Sequence, residues 1–547
     1  MRVAVIGGGI SGMVAARALA GASVAASGYI SGDISDIEVD LFEASSRLGG
    51  KLHSVKFGDT YVDTGPDSFL ARRPEAVKLC GELGISGDLE ASGVKGAFIV
   101  VGNKLRKIPS DLALGVPVRL GSLIRSVVEH RILTVRGMSR AAVGYFFPTP
   151  PDMSSYGAGH QGALYGASLH KLSADSDSSY DVDLGRLIEH HMGREVVAKL
   201  ADPLIGGIHA GSIYGMSAAA LFPPILQASK QQGSLAVNLS RAMSVGQGTS
   251  GGQGAKDMKG NPPPTFYAVR GGMASLVGAL ENDLLQKGVV VHENTNVVVL
   301  RKTSKGWALL FDDGREVDGY AGVVLALPAH RASGLVESFS TDAARLFGSI
   351  PYSSVAVITL RIKGVSAEDL PEGTGYVVPA DGRRLVSACT FLSKKWPHIV
   401  TQGSVLLRVS TGRYGDSRHL YMDDEHLIDA VHYELERDLQ LSLELEDALV
   451  VRWEKAFPQY RVGHLSLVEQ IAKEISRAGP MSVAGGAYGG VGIPACIKSG
   501  YEAASSLIEQ LRGSANRQVG SGSRSSGRAG QGEEGEAVEC LPDDGKP

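Results

Sequence analysis

The chain has 547 residues, 54 Lys and Arg against 58 Asp and Glu for a net charge of −4, with 43% hydrophobic and 20% charged residues. At about 150 residues per domain this allows several folding units and a sizeable core, and it excludes a disordered chain or a generic polyanion binder, so no nucleic-acid partner is expected. The 71 glycines are roughly twice the usual share of about 7%, without a Gly-X-Y repeat, which excludes collagen and points to tight turns and ligand-cradling loops.

Residues 3–6 (Val-Ala-Val-Ile) read as a short buried strand, and glycines at 7, 8 and 9 follow at once. Met1-Arg2 before an apolar, Ala-rich run imitates a secretory signal, but such a signal has no need of three glycines in its apolar region. Gly7, Gly9 and Gly12 form GxGxxG between that strand and an Ala-rich helix over 13–20. Gly7 permits the turn, Gly9 lets the backbone approach a pyrophosphate and Gly12 allows helix to pack on strand, with Ile10 and Ser11 opening the helix beneath the phosphates. A plain glycine-rich turn is the alternative.

A second strand over 38–42 ends in Glu43, placed to accept hydrogen bonds from an adenosine ribose. Glu43 lies 31 residues beyond Gly12, against about 20 in the usual fingerprint, and a polar insertion over 21–36 accounts for the excess. A surface glutamate closing a strand is the competing reading. Glu43, Ala44, Arg47, Gly49, Gly50 and Lys51 then build E-x-x-x-R-x-G-G-K, in which the arginine counters phosphate charge and the glycine pair lets the chain pass close to a cofactor. On these motifs the sequence resembles the FAD-dependent amine oxidase and phytoene desaturase superfamily.

Residues 61–74 (YVDTGPDSFLARRP), 267–276 (YAVRGGMASL), 394–397 (KKWP), 457–464 (FPQYRVGH) and 484–494 (AGGAYGGVGIP) narrow the likeness. They resemble the porphyrinogen oxidases of haem biosynthesis, more closely the bacterial soluble-type branch. The resemblance implies an α/β and α+β fold in which a Rossmann-type FAD-binding domain (1–85, 265–335 and 450–511) is interleaved with a mixed-sheet substrate domain (336–449) and a helical cap (86–264). It also implies that Gly65, Pro66, Asp67 and Ser68, the backbone of Val297, Trp453, and the returning loop of Gly485, Gly486, Gly492, Ile493 and Pro494 complete the FAD site. Val297 and Trp453 also fit plain core positions.

Ser- and Gly-rich stretches at 139–180 and 244–264 read as loop insertions, and 512–547 as a disordered tail. Residues 119–140 carry Arg119, Arg125, Arg131, Arg136 and Arg140 among apolar residues, which fits either peripheral membrane contact or a solvated helix face. No run reaches the ~18 apolar residues of a membrane span. Cys80, Cys389, Cys496 and Cys540 are scattered with no metal-binding spacing, so no metal is expected and a reducing, cytoplasmic location is.

By resemblance the reaction is oxidation of coproporphyrinogen III to coproporphyrin III, with protoporphyrinogen IX as the alternative substrate and dioxygen as acceptor, giving hydrogen peroxide. No side-chain nucleophile or triad stands out, since the flavin is the hydride acceptor. Arg73, then Arg72, are the expected anchors for the substrate's propionates, although both also suit the start of a surface helix at Pro74. A flavin amine oxidase and a catalytically silent FAD or porphyrin carrier are the competing classes. Oligomeric state is left open, a homodimer included.

Overall fold

Alternation along the first strand, Arg2–Ile6, organises what surrounds it: Val3 and Val5 enter one apolar core while Ala4 and Ile6 enter another, as successive strand side chains must. The structure is a computed structural model that describes residues 1–21, 37–146, 181–249, 264–401 and 403–522. This strand is the middle member of a five-stranded parallel sheet in the order Val290–His292, Glu38–Phe42, Arg2–Ile6, Gly322–Leu325, Met481–Val483. A parallel sheet needs both faces covered. The helices Ile10–Ala20, Met273–Gln286 and Ile493–Gly522 cover one face. The other face is covered by an antiparallel sheet (Val297–Thr303, Gly306–Phe311, Glu316–Tyr320) and by the helices Ala329–Val336, Thr341–Gly348 and His464–Ala478.

Between Val290–His292 and the strand that starts at Val297, Asn294 takes a positive φ of 50° and turns the chain. The strand Gly322–Leu325 is buried throughout, and Pro328 opens the next helix.

A second sheet has seven strands in the order Glu444–Pro458, Tyr352–Lys363, Ser404–Thr411, Val386–Phe391, Gly375–Val377, Phe98–Val101, Lys104–Lys107. The helix Asp424–Leu439 packs on it through Leu427, Val431 and Leu435. Its membership corrects two expected boundaries. The strand Glu444–Pro458 runs straight through position 450, paired along its length with Tyr352–Lys363. The hairpin Phe98–Val101 and Lys104–Lys107, turned by positive-φ Gly102 and Asn103, adds strands to this sheet although it lies inside the segment read as helical cap.

The remaining body is helical, built from Leu120–Val128, Val135–Phe146, Leu184–Met192, Val197–Gly206, Pro223–Ser229 and Leu235–Thr249 around a core of Leu187, Ile188, Leu200 and Ile225. Asp183 starts the Leu184–Met192 helix by accepting the Arg186 N–H at 2.9 Å. Three further boundaries move. Residues 139–146 end a helix, 244–249 end another, and 512–522 continue the C-terminal helix, so none of these is loop or tail. The rest of those expected segments, at 147–180, 250–263 and 523–547, lies outside the described residues, as does Cys540. Among the described residues no helix is long and apolar enough to cross a membrane.

Candidate active site

The C-terminal edge of the parallel sheet carries the glycine-rich turn. Gly7, at φ 110°, donates its N–H to Phe42 O at 2.8 Å, and a Cβ there would meet Ala326 O at 2.5 Å. A Cβ on Gly12 would lie 1.9 Å from Gly7 O, so only glycine lets the helix Ile10–Ala20 sit this close to the strand. Gly9 is different: a Cβ there meets nothing within 4 Å. Protein contact therefore explains Gly7 and Gly12 but leaves the space above Gly9 open, at the N-terminus of the helix Ile10–Ala20, whose first-turn N–H groups have no intrahelical partner.

Glu43 closes the second strand beside this turn. Its carboxylate accepts the Gly8 N–H at 2.8 Å on one oxygen and the Ser45 N–H and hydroxyl at 2.8 and 2.7 Å on the other. Gly49 pairs with Gly9, and Gly50 at φ 57° passes 3.3 Å from Gly9 Cα in Cβ terms. Arg47 pins that crossing by donating to Leu48 O at 3.2 Å and Gly50 O at 2.8 Å. Ala44 is exposed at the lip, and Val297 is buried with its side chain in the core.

Lys51 follows. It is exposed to solvent in the cleft, yet the mass of protein around it lowers its ammonium pKa. Its carbonyl lies against Gly65, where a Cβ would come within 1.9 Å. The next residue back, Thr64, accepts the Trp453 indole N–H at 2.7 Å, so the strand Glu444–Pro458 of the second sheet is fastened to the cofactor-side loop. Asp63 accepts from Ser54 Oγ at 2.6 Å and from the Met273 N–H at 2.8 Å, capping the helix Met273–Gln286, and burial pushes its pKa up to about 6.

Asp67 spends its carboxylate on protein. Lys395 Nζ stands 2.9 Å away, Trp396 Nε1 3.0 Å and Arg408 Nη1 3.6 Å, while Arg408 also donates to Gly65 O. Burial opposes the charge, but Lys395 and Arg408 outweigh it and hold the Asp67 pKa well below the usual carboxylate range. The expected site segment Gly65, Pro66, Asp67 and Ser68 is thus held from behind by the second sheet. Lys395 and Trp396 were visible in the sequence only as a resemblance motif, and Arg408 carried no signal.

The returning loop lies across the same sheet edge. Gly485, at φ 128°, donates its N–H to Ser499 Oγ at 3.0 Å, and Cβ positions on Gly485 and Gly492 meet nothing but a Pro494 carbon at 3.9 Å. Gly486 O accepts from the Tyr460 hydroxyl, and Ala487 O bonds His464 Nε2 at 2.9 Å. Ile493 and Pro494 are buried at the start of the last helix, whose Cys496 O accepts from Ser11 Oγ at 2.9 Å.

From the helical body, the segment after Val197–Gly206 delivers Ala210, which packs with Val355, Trp453 and Ala456 and whose carbonyl accepts the Tyr414 N–H at 2.7 Å. Gln459 Nε2 donates to His209 O at 2.9 Å. Arg73 and Arg72 are exposed at the N-terminus of the helix Pro74–Glu82 and form no ion pair with a described residue.

The family model for flavin containing amine oxidoreductases matches residues 10–508. The chain belongs to this family. FAD is the cofactor of this flavoenzyme. It is 28% identical to the coproporphyrinogen III oxidase of Bacillus subtilis over 93% of this chain and 98% of the relative. It is 29% identical to that of Mycobacterium tuberculosis over 93% and 97%, and 26% identical to bovine protoporphyrinogen oxidase over 92% and 98%. A crystal structure of an Exiguobacterium protein, provisionally assigned as a protoporphyrinogen oxidase, superposes with a TM-score of 0.74 at 26% identity, covering 93% of this chain and 99% of that one. A reduced UDP-galactopyranose mutase shares the fold, with a TM-score of 0.60 at 14% identity.

The flavoenzyme's residues fit an FAD. Open space above Gly9, Gly485 and Gly492, all on backbone that converges at one sheet edge, is a cradle that side chains would fill. No disulfide or group of metal-ligating side chains competes for it among the described residues.

Proposed function

We propose that this flavoenzyme oxidises coproporphyrinogen III to coproporphyrin III in haem biosynthesis, in successive two-electron steps. The observation that carries the reading is end-to-end likeness: curated coproporphyrinogen III oxidases align over 93% of this chain and 97–99% of their own lengths. Bound FAD supplies the acceptor for the hydride leaving a methylene bridge, and dioxygen takes the electrons on as hydrogen peroxide.

The chain's own work is to bind, orient and exclude water. The turn at Gly7, Gly9 and Gly12 and the helix N-terminus at Ile10 and Ser11 take the pyrophosphate, with Arg47 and Lys51 as countercharge. Glu43 takes the ribose, and Ala44 and the Val297 backbone border the adenine end. Gly49 and Gly50, then Gly65, Pro66, Asp67 and Ser68, and from the far end of the chain Gly485, Gly486, Gly492, Ile493 and Pro494, line the flavin end beside Trp453. Arg73 and Arg72 hold propionates by charge-assisted hydrogen bonds. The pyrrole proton leaves to water or to dioxygen reduction.

A cytoplasmic location is part of the reading, with peripheral membrane contact through the exposed Ile124, Val128, Val135, Val143 and Phe146 of the two helices that also carry Arg125, Arg136 and Arg140. Protoporphyrinogen IX is the second substrate candidate, favoured by the likeness to the bovine enzyme.

The test is porphyrin fluorescence in air with purified, flavin-loaded protein and both porphyrinogens in parallel. Faster oxidation of coproporphyrinogen III than the enzyme-free control, and than protoporphyrinogen IX, is expected. Bound flavin with no acceleration of either substrate overturns the reading.

A further inference from the structure

Between Trp453, which faces Val355, and Phe457, which faces Ser353, the strand Glu444–Pro458 carries extra residues opposite Ser354. The bulge is held by the Lys455 N–H, which donates to Ser354 Oγ at 3.0 Å, and Lys455 sits at a positive φ of 47°. Such a backbone disfavours any side chain but glycine or asparagine, and bulges commonly re-aim a side chain beside a site. Lys455 is exposed and pairs with no carboxylate among the described residues.

Residues from both sheets lie near this lysine. Ser354 lies two residues from Tyr352, whose ring meets His330 edge-on at 4.9 Å and whose hydroxyl accepts the Ala329 N–H at 2.8 Å. His330 opens the helix that follows the Gly322–Leu325 strand, and its Nδ1 is buried with no hydrogen-bond partner. On the other side Trp453 reaches Thr64 O, and Gly65 abuts Lys51. Burial and then the positive charges of Lys455, Arg331 and Lys51 push the His330 pKa down to about 4. Neither Lys51 nor Arg331 has a carboxylate partner among the described residues either. Around the bulge, Trp453, Ala456, Val355 and Ala210 form an apolar cluster.

An exposed lysine with no carboxylate partner among the described residues, an unused imidazole nitrogen near it and an adjoining apolar cluster suit one ligand chemistry: a flat apolar body that bears carboxylates. We infer that Lys455, with His330 near it, is a carboxylate subsite that anchors a propionate arm of the substrate. The inference rests on the porphyrinogen reading.

The experiment titrates flavin-loaded wild type, Lys455→Gln and Lys455→Arg with coproporphyrin III and with its tetramethyl ester, reading porphyrin fluorescence, and measures KM for coproporphyrinogen III. Lys455→Gln is expected to keep its flavin spectrum, to bind coproporphyrin III about ten-fold more weakly with a matching rise in KM, and to bind the uncharged ester as wild type does; Lys455→Arg restores acid binding. Unchanged acid binding in Lys455→Gln, or equal weakening for acid and ester, overturns the subsite while leaving the oxidase reading intact wherever wild type turns over. Wild type that neither oxidises the porphyrinogen nor binds the porphyrin overturns both.

Discussion

Asp67 and Lys395, 328 residues apart in the chain, stand 2.9 Å from each other with both side chains nearly buried. The pair ties the loop at the parallel sheet to the second sheet, and Arg408 and Trp396 complete it. Asp67→Ala strands two buried cations, a loss of about 3–5 kcal/mol for a broken buried pair. Asp67→Asn, which keeps an acceptor for the Trp396 N–H, is expected to lose less. Guanidinium unfolding of the flavin-loaded protein measures both, and equal stability in all three would show that the network contributes nothing.

Asp63 gives the fold a pH signature. Its carboxyl has an ordinary value of 3.8 and is raised to about 6 in the fold. The folded state therefore holds a proton that the unfolded state has released between those values, so stability falls as pH rises from about 4 to 6, by up to ~3 kcal/mol. Asp67 works in the opposite sense, its depressed value leaving its contribution in place across that window. Asp63→Asn keeps an oxygen for Ser54 and Met273, so its stability across pH 4 to 6 should be flatter than wild type. Parallel curves for the two proteins would refute this.

Gly9 and Gly12 should separate cofactor contact from folding. Alanine at 12 drives a Cβ into Gly7 O and is expected to prevent a stable fold. Alanine at 9 meets no protein atom, so the chain should fold with normal circular dichroism yet retain FAD at least ten-fold more weakly. Flavin content after gel filtration decides, and full FAD retention in Gly9→Ala would remove the turn from the cofactor site.

Trp453→Phe keeps the ring but deletes the indole donor to Thr64 O. The loss of one such bond, with a carbonyl left unpaired, costs about 1–3 kcal/mol. The expected readouts are a lower melting temperature and a shifted flavin absorbance band. A melting curve and spectrum identical to wild type would show that the fastening is not needed.

What could be read from the sequence was what is local. Residues 3–12 place an apolar run, three glycines and a helix in consecutive order, and Asp183 precedes its helix by one residue. The Phe98–Lys107 hairpin was equally local, with Gly102-Asn103 as its turn, but its allegiance to a sheet whose other strands begin at Tyr352 depends on pairing across more than two hundred residues. Arg408 and Lys455 were invisible for the same reason. One acts through a residue in a distant loop, and the other owes its place to a bulge that exists only once two strands have chosen a register.

The close crossing of Gly500 over Ser11, where a Cβ would lie 2.5 Å from the serine carbonyl, sets a timetable for the newborn chain. Ser11 meets Cys496 across a separation of 485 residues, which a ribosome covers in roughly 25–100 s at about 5–20 residues per second. Until then the parallel sheet lacks its last strand, Met481–Val483, and one of its covering helices, Ile493–Gly522, and FAD has only part of its cradle to settle into. The cofactor can thus reward completed synthesis but cannot guide its beginning, and the Gly322–Leu325 edge, which waits for Met481–Val483, is where a chaperone would be most needed.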